Sequence, residues 1–417
     1  MQTKSEKLWQ RAKKHIASGT QTYSKQAQRY VQGVYPAFIE RGKGAFVFDS
    51  DNNAYLDYPC ALGANLLGYA NDYINDRVKA RIDKGILFSL PNQLEIVLAE
   101  KLCKLFPSMQ KVRFVKSGSE AVSAGIKIAR AYTGLDDVIS FGYHGWHDWS
   151  TPVTEQKLGS PNDGHIFKLE FNNLVQLEQL LRDNAVACVV IDPYVFTEPD
   201  KGYYDKLIKL SHKYKALVLF DEIVTGFRWQ DWSVQNHYKI NPDLSTFGKS
   251  MANGFPISVI GGKSKYMDML DKGCFVSTTF GGELASIEGA LATIEFCEKH
   301  MVQEHIFETG QLLQEGFNQS AQLFSLPCKC IGNPARLKFE FPSNMHKSVF
   351  WQECIKQEVL FGGATHTCYA HSMNLVEKTV SVIERVMKKM KPHWDSIGTL
   401  LEGKELEEVS TIAQVRK

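Results

Sequence analysis

Between about residues 97 and 296, short apolar runs alternate with stretches of helical periodicity. The apolar runs are VRFV, DVISF, ACVVI, ALVLF and ISVI, and the helical stretches include LIKLSHKYK and the segment that begins at Glu120. Such alternation predicts a mainly parallel sheet covered by helices on both faces, because parallel strands are joined by helical crossovers. We therefore expect an α/β fold in which residues 61–296 form a large domain.

The flanking segments predict a second, smaller α+β domain. Residues 4–18 carry apolar and small side chains at helical spacing. The stretch GAFVFDSDNNAYLDY alternates apolar and polar residues around Asp-Asn-Asn, which is typical of a β-hairpin. Near the other end of the chain, a helix, the strand RLKFEF and a final helix are predicted. We expect residues 1–60 and 297–417 to build this small domain together.

The charge balance of the 417-residue chain argues against several classes of function. Its 48 lysines and arginines nearly match its 46 aspartates and glutamates, so no basic excess points to nucleic acid or an anionic membrane. No apolar run approaches the roughly 20 residues that span a bilayer, and the first residues lack the apolar core of a secretory signal. Nine scattered cysteines without a disulfide framework indicate reduced thiols, so we expect a cytoplasmic protein.

Two side chains in the large domain suit carbonyl–amine chemistry. Asp221 directly follows the apolar run ALVLF, and ligands of open α/β sheets collect at the carboxyl ends of strands. Lys249 lies between glycines in STFGKSMANGFP, where partial desolvation favours attack of its amine on an aldehyde. An aspartate can hold the protonated pyridine nitrogen of pyridoxal phosphate and keep the ring an electron sink. Lys249 and Asp221 therefore form a candidate catalytic pair for this cofactor.

Two further segments supply a candidate phosphate site and an aromatic plate. Ser117, Gly118 and Ser119 follow a predicted strand and precede a helix, where backbone N–H groups and hydroxyls suit a dianionic phosphate. Tyr143 and His144 follow the strand DVISF, and a ring stacked on the pyridine would fix its tilt.

Each of these signals is weak alone. A Ser-Gly-Ser before a helix is usually an N-cap, here with Glu120 in the first turn, and most lysines are solvated. The Gly-Lys-Ser around Lys249 resembles the end of a nucleotide-binding P-loop, but that motif requires glycine where Asp243 stands.

A metal site is the remaining alternative in this part of the sequence. His144, His147 and Asp148 lie close together, but no further ligand cluster accompanies them. We expect no metal site.

The motifs as a set resemble class III aminotransferases, which are fold-type-I pyridoxal phosphate enzymes, and especially the branch with glutamate-1-semialdehyde aminomutase. The matching blocks run along nearly the whole chain: GKGAFVFDSDNNAYLDY, VRFVKSGSEAVSAGIKIARAYTG, YHG, LFDEIVTGFR, FGKSMANGFP, TTFGGELAS and YAHS. The resemblance implies that Lys249 forms the aldimine with the cofactor and that Asp221 partners the pyridine nitrogen. It also implies that Ile223 packs on the ring face opposite Tyr143, and that Ser117–Ser119 form the phosphate cup.

The resemblance also implies a homodimer. In this family a threonine of the neighbouring subunit completes the phosphate cup, and TTFGGE places Thr279 at that position, beside Thr278. The active site would then be shared between two copies of the chain, and an isolated monomer would be inactive.

The resemblance is weakest where substrate would bind. The aminomutase uses an arginine in an early loop, and the corresponding position here is Lys25. The stretch FGGATHTCYAHS carries glycines and His366 where the aminomutase has a carboxylate. We therefore expect an aminotransferase that moves an amino group from an amino-acid donor, glutamate being one candidate, to a small aldehyde, keto acid or keto-sugar. The alternatives are an aminomutase and a non-catalytic protein that has kept the fold.

Overall fold

A computed structural model of the chain describes residues 4–153, 158–161 and 164–407. The helices are α1 Lys4–His15, α2 Asp72–Ile82, α3 Gln93–Leu105, α4 Gly118–Thr133, α5 Leu174–Asp183, α6 Tyr203–Lys213, α7 Val234–His237, α8 Ser264–Met267, α9 Leu284–His300, α10 Val302–Leu323, α11 Asn344–Ile355 and α12 Met373–Met390. The strands are β1 Ile39–Lys43, β2 Phe46–Asp49, β3 Ala54–Asp57, β4 Lys111–Val115, β5 Asp137–Phe141, β6 Ile166–Lys168, β7 Val186–Ile191, β8 Leu217–Asp221, β9 Leu244–Phe247, β10 Ser258–Gly262, β11 Lys329–Asn333, β12 Arg336–Glu340 and β13 Val359–Leu360.

The chain divides into two compact units, one of which is Asp72–Gln303. This unit holds a seven-stranded sheet in the order β4-β10-β9-β8-β7-β5-β6. Strand β10 is antiparallel to both of its neighbours, while the pairs from β9 to β6 are parallel. All side chains of β7 and β8 are buried, as expected for central strands covered on both faces. The predicted α/β fold with a mainly parallel, mixed sheet is confirmed.

The other unit comprises residues 4–71 and 304–407. Its four-stranded sheet has the order β1-β2-β3-β13, and the predicted hairpin is present as β2 and β3, with Phe46 opposite Leu56. Strand β13 joins parallel to β3, so segments from both ends of the sequence share this sheet. A second sheet pairs β11 with β12. The core of the unit is rich in aromatic side chains, including Phe317, Phe339, Phe350, Trp351 and Phe361.

None of the helices in the described residues is long and apolar enough to span a membrane.

Candidate active site

The carboxylate of Asp221 is buried at the carboxyl end of β8. Its Oδ1 accepts hydrogen bonds from the backbone N–H of Ile223 and from the hydroxyl of Thr246, each at 3.2 Å. Its Oδ2 lies 2.7 Å from Nδ1 of His144. An ionised carboxylate is costly to bury without such partners, so these contacts hold a negative charge at the edge of the sheet.

His144 is buried beside Asp221, and both of its ring nitrogens face acceptors. Nε2 lies 2.9 Å from the backbone carbonyl of Phe141, while Nδ1 faces the carboxylate. We predicted an aromatic plate from Tyr143 and His144 together, but the structure shows that His144 is a partner of Asp221.

Glu222 directly follows β8, is fully buried and makes contacts separate from those of Asp221. Its carboxylate accepts hydrogen bonds from the backbone N–H groups of Val234 and Gln235 at the start of α7 and from the hydroxyl of Thr225. Burial nevertheless raises the pKa of Glu222 from 4.5 to about 7, with the hydrogen bonds opposing that rise. Glu222 therefore has a structural role.

A pH dependence of stability follows from the pKa of Glu222. The pKa of Glu222 is higher in the folded chain than the ordinary value of 4.5, so the folded chain binds this proton more tightly than the unfolded chain does. The proton's contribution to the free energy of unfolding is therefore fully present below pH 4.5 and is lost as pH rises through about 7. The shift corresponds to about 3 kcal/mol. We expect Glu222→Gln to flatten the fall in the free energy of unfolding over this pH window, measured by urea denaturation.

Glu283→Gln is the matched control for that experiment. Although burial opposes it, hydrogen bonds from Ser286 and Lys116 lower the pKa of Glu283, so this group stays ionised throughout the same window. Its replacement should leave the slope of stability against pH unchanged. Equal slopes for wild type and Glu222→Gln would contradict the assignment.

The segment Ser117–Ser119 begins helix α4. The Ser117 hydroxyl accepts the backbone N–H of Glu120, and the Glu120 carboxylate accepts the backbone N–H of Ser117, which is a complete capping box. The N-cap interpretation is therefore correct for the side chain of Ser117. The backbone N–H groups of Gly118 and Ser119 occupy the first helical positions, where a helix offers no acceptor of its own. They remain suited to an anion.

Lys249 follows β9 in a short 3-10 turn and is half-buried. Its backbone is left-handed, with φ at 42°, a conformation that is uncommon for residues other than glycine. Such strain persists where the surrounding structure holds a side chain in a required position.

Ile223 lies between two glycines that the sequence separates widely. A Cβ atom on Gly118 would lie 3.1 Å from its side chain, and one on Gly248 would also lie 3.1 Å from it. The start of α4, the Gly248–Lys249 turn and the segment after Asp221 therefore meet at Ile223.

Tyr143 lies on the loop that follows β5 and is 46% exposed. Partial burial, and then the nearby negative charge of Asp221, raise the pKa of Tyr143, so the phenol keeps its proton. Gly145, two residues further on, is left-handed at 98°, and a Cβ atom there would clash with the side chain of Ser119. This glycine allows the Tyr143 loop to approach the start of α4 closely.

The remaining predicted residues lie on other segments of the chain. Thr279 is exposed on the loop before α9, with Thr278 half-buried beside it. Lys25 is exposed in a 3-10 turn of the unit that contains residues 4–71. In the same unit His366 is buried, and its Nδ1 lies 3.2 Å from the carbonyl of Ala335.

Sequence reasoning missed two contributors to this site. The hydroxyl of Thr246 donates to Asp221 from the neighbouring strand, and no local pattern marks it. Gly145, the glycine of Tyr-His-Gly, lets its loop approach Ser119 closely. It directly follows two candidate site residues, and this position could have identified it from the sequence.

Comparisons with known proteins agree on one family. The model of the family described as aminotransferase class-III matches residues 27–379. The 3-aminobutyryl-CoA aminotransferase of Cloacimonas acidaminovorans (strain Evry) is 32% identical over 407 residues, covering 93% of this chain and 97% of that protein. The structure of the pyridoxal phosphate internal aldimine form of the FumI protein of Sphingopyxis sp. MTA144 has a TM-score of 0.88 at 25% identity, covering 97% and 99%. A glutamate-1-semialdehyde-aminomutase from Pseudomonas aeruginosa PAO1 shares the fold, with a TM-score of 0.82 at 18% identity, covering 93% and 94%.

Proposed function

Because this chain belongs to the class III aminotransferase family, we propose that it moves an amino group from an amino-acid donor to a carbonyl acceptor on a second molecule. The observation that carries this proposal is the convergence at Ile223. The helix start at Gly118 and the Gly248–Lys249 turn both approach its side chain so closely that a Cβ on either glycine would lie 3.1 Å from it. Asp221, paired with His144, precedes Ile223 by two residues. The start of α4, the turn that carries Lys249 and the segment that follows Asp221 thus meet at one apolar side chain, which supports a shared site.

Pyridoxal phosphate is the cofactor of this enzyme family, and the groups around Ile223 fit its chemistry. The N–H groups of Gly118 and Ser119, with the Ser119 hydroxyl, would hold the phosphate. Asp221 would accept a hydrogen bond from the protonated ring nitrogen, and Ile223 and Tyr143 would flank the ring.

When bound, pyridoxal phosphate supplies an aldehyde for the amino group and a ring that withdraws electrons from the adjacent carbon. We assign to Nζ of Lys249 the removal of the proton from the carbon that bears the donor's amino group. A positioned base of this kind contributes about 10²- to 10⁴-fold to the rate. His144 and Thr246 act through Asp221, because their contacts fix the position of its carboxylate.

The acceptor that we propose is a small aldehyde, a keto acid or a keto-sugar. Lys25, in place of the aminomutase arginine, and the glycines near His366 favour transfer between two molecules over transfer within one. Because the similar Cloacimonas protein is named for a coenzyme A-linked substrate, acceptors that carry that group belong in the same panel.

A half-reaction tests the proposed transfer. Purified enzyme with cofactor is mixed with single amino acids, glutamate first, and the cofactor's visible spectrum and keto acid release are recorded. We expect at least one donor to change the spectrum and to release its keto acid in equal amount. Turnover of glutamate-1-semialdehyde without a second substrate, and no response to any donor, would support the aminomutase alternative instead.

We further propose that two copies of the chain share the active site. Exposed apolar side chains cluster on two segments, which include Ile82, Leu87, Phe88, Leu90, Ile96 and Phe280. The segments lie side by side, since the N–H of Leu284 donates to the carbonyl of Ile86 and a Cβ on Gly282 would touch Glu95. A contiguous apolar surface of this kind is typical of an interface, and the exposed Thr279 lies within it.

A charge on this surface should separate the copies. Leu90 is 79% exposed, so Leu90→Asp leaves the fold of the chain intact and places a carboxylate in the proposed interface. We expect a monomer with little activity, measured by light scattering and amino transfer. Leu323→Asp is the control, because Leu323 is exposed on α10, outside that surface. Active monomers, or a dimer that survives Leu90→Asp, would contradict the proposal.

A cytoplasmic location is also proposed. None of the nine cysteines forms a disulfide, and seven of them are buried, which suits a reducing compartment.

A further inference from the structure

The loop of residues 142–150 follows β5 in the unit Asp72–Gln303 and carries both Tyr143 and His144. Two of its glycines have left-handed backbones, Gly142 with φ at 105° and Gly145 with φ at 98°. Glycine has wide conformational freedom, so the backbone of this loop does not by itself hold the Tyr143 ring in one place. The position of that ring therefore depends on what the rest of the loop contacts.

Ser123, on helix α4, is a hydrogen-bond partner of two side chains of this loop. Its Oγ accepts the indole N–H of Trp149 at 2.8 Å and lies 2.7 Å from Nδ1 of His147. Because an indole nitrogen can only donate, the hydroxyl hydrogen of Ser123 stays available for the imidazole nitrogen. Both contacts are partly buried, where a polar group that loses its partner is costly. One hydroxyl group thus joins the later part of the loop to α4.

Trp149 extends this link to the carboxylate of Asp221. Its indole ring stacks on the ring of His144, with centroids 6.1 Å apart and planes at 19°. The indole also packs against the hydrophobic cluster that includes Val122 of α4. Since Nδ1 of His144 lies 2.7 Å from the carboxylate, a continuous series of contacts runs from Ser123 through Trp149 to Asp221.

The place of Ser123 on α4 relates this link to the proposed phosphate site. Ser123 follows Ser119 by four residues, so the two side chains lie on the same face of the helix, about 6 Å apart along its axis. A Cβ atom on Gly145 would clash with the side chain of Ser119, so the loop also packs closely there. The loop contacts α4 at two successive turns, and one helix therefore sets the positions of both the phosphate site and the Tyr143 loop.

We propose that Ser123 is a positioning residue for amino transfer, which acts through Trp149 and His147 to hold the Tyr143 loop on α4. The inference rests on the proposed function, in which Tyr143 and Asp221 flank and bind the cofactor ring. Without the hydroxyl, the indole N–H and the imidazole nitrogen lose their shared partner. The loop is then free to shift, and with it the ring of Tyr143 and the stacking of Trp149 on the histidine beside Asp221.

Ser123→Ala in the full-length enzyme loaded with pyridoxal phosphate tests this proposal. We expect a weaker visible circular dichroism band per bound cofactor, because that signal depends on how the protein holds the ring. We also expect the half-reaction with glutamate, or with the first donor of the panel to respond, to slow about 10-fold, since a 1 Å misplacement can cost about 10²-fold. Ser123→Thr keeps the hydroxyl and should restore both signals.

Thr133→Ala is the matched control, because Thr133 is another half-buried hydroxyl of α4, and it donates within the helix to the carbonyl of Ala129 at 2.8 Å. It should lower Tm at most, and leave the band and the rate unchanged. Trp149→Phe keeps an aromatic ring and removes the N–H, so it should weaken the band and the rate by itself. Added to Ser123→Ala, it should cause no further loss, because the two changes remove the same hydrogen bond.

The outcomes separate this inference from the proposed function. A folded Ser123→Ala with the wild-type band and rate, or losses that add in the double variant, would overturn the role of Ser123. If Ser123→Ala fails to fold, a wild-type band and rate in Trp149→Phe would overturn it equally. Wild type that responds to no donor would contradict the proposed function alone, since the circular dichroism comparison needs no substrate and still decides whether Ser123 positions the loop.

Discussion

Replacing Lys249 with alanine is expected to slow amino transfer by at least about 10⁴-fold, the upper end of what a positioned base contributes. The physical reason is the removal of the amine of Lys249, a half-buried residue in a left-handed turn that directly follows Gly248, the neighbour of Ile223. Alanine at this position keeps the same backbone strain, so the variant should fold with similar stability. The measurement is keto acid formation per cofactor-loaded chain.

Lys215→Ala is the matched control for Lys249→Ala. Lys215 is also a left-handed lysine, with φ at 65°, but it is exposed between α6 and β8. Its replacement should leave the rate unchanged. Borohydride reduction of wild type should fix the cofactor to the peptide that contains Lys249. Attachment to another peptide, or a variant within about tenfold of wild type, would remove Lys249 from its assigned role.

The second large effect is expected for Asp221→Asn, which should lower kcat about 10²- to 10³-fold, as for other losses of a preorganised charge. Asparagine keeps the shape of the side chain but removes the charge that would hold the protonated ring nitrogen. Its amide hydrogens would also face donors, because His144, Thr246 and the N–H of Ile223 surround the carboxylate. The rate is measured per loaded site, with cofactor content determined separately.

Asp243→Asn is the matched control for Asp221→Asn. Asp243 is another buried carboxylate with a histidine partner, 2.8 Å from Nε2 of His212, and it also accepts the N–H of Val218. Its replacement should lower Tm and leave the rate per loaded site unchanged. If both variants slowed the loaded enzyme equally, Asp221 would have only a structural role.

Much of the fold could be predicted because the determinants were local. The strands β4, β5, β7, β8 and β10 contain the short apolar runs, and helices follow where the periodicity changes. The β2–β3 hairpin was marked by alternation around Asp-Asn-Asn. The two interpretations of the Ser117 segment, a helix N-cap and a phosphate site, are compatible. The capping box uses the side chain of Ser117, whereas a phosphate would bind the N–H groups of the next two residues.

The sequence by itself determined which segments are strands and helices, and which positions carry an amine, a carboxylate and a helix start. Tertiary structure alone decided that His144 partners Asp221, that Ile223 lies between Gly118 and Gly248, and that Trp149 meets Ser123. The physical reason is that periodicity and capping depend on neighbours a few residues away, whereas these contacts depend on the path of the whole chain. Lys249 could be recognised from its motif, but the left-handed backbone that holds its amine is a product of the fold.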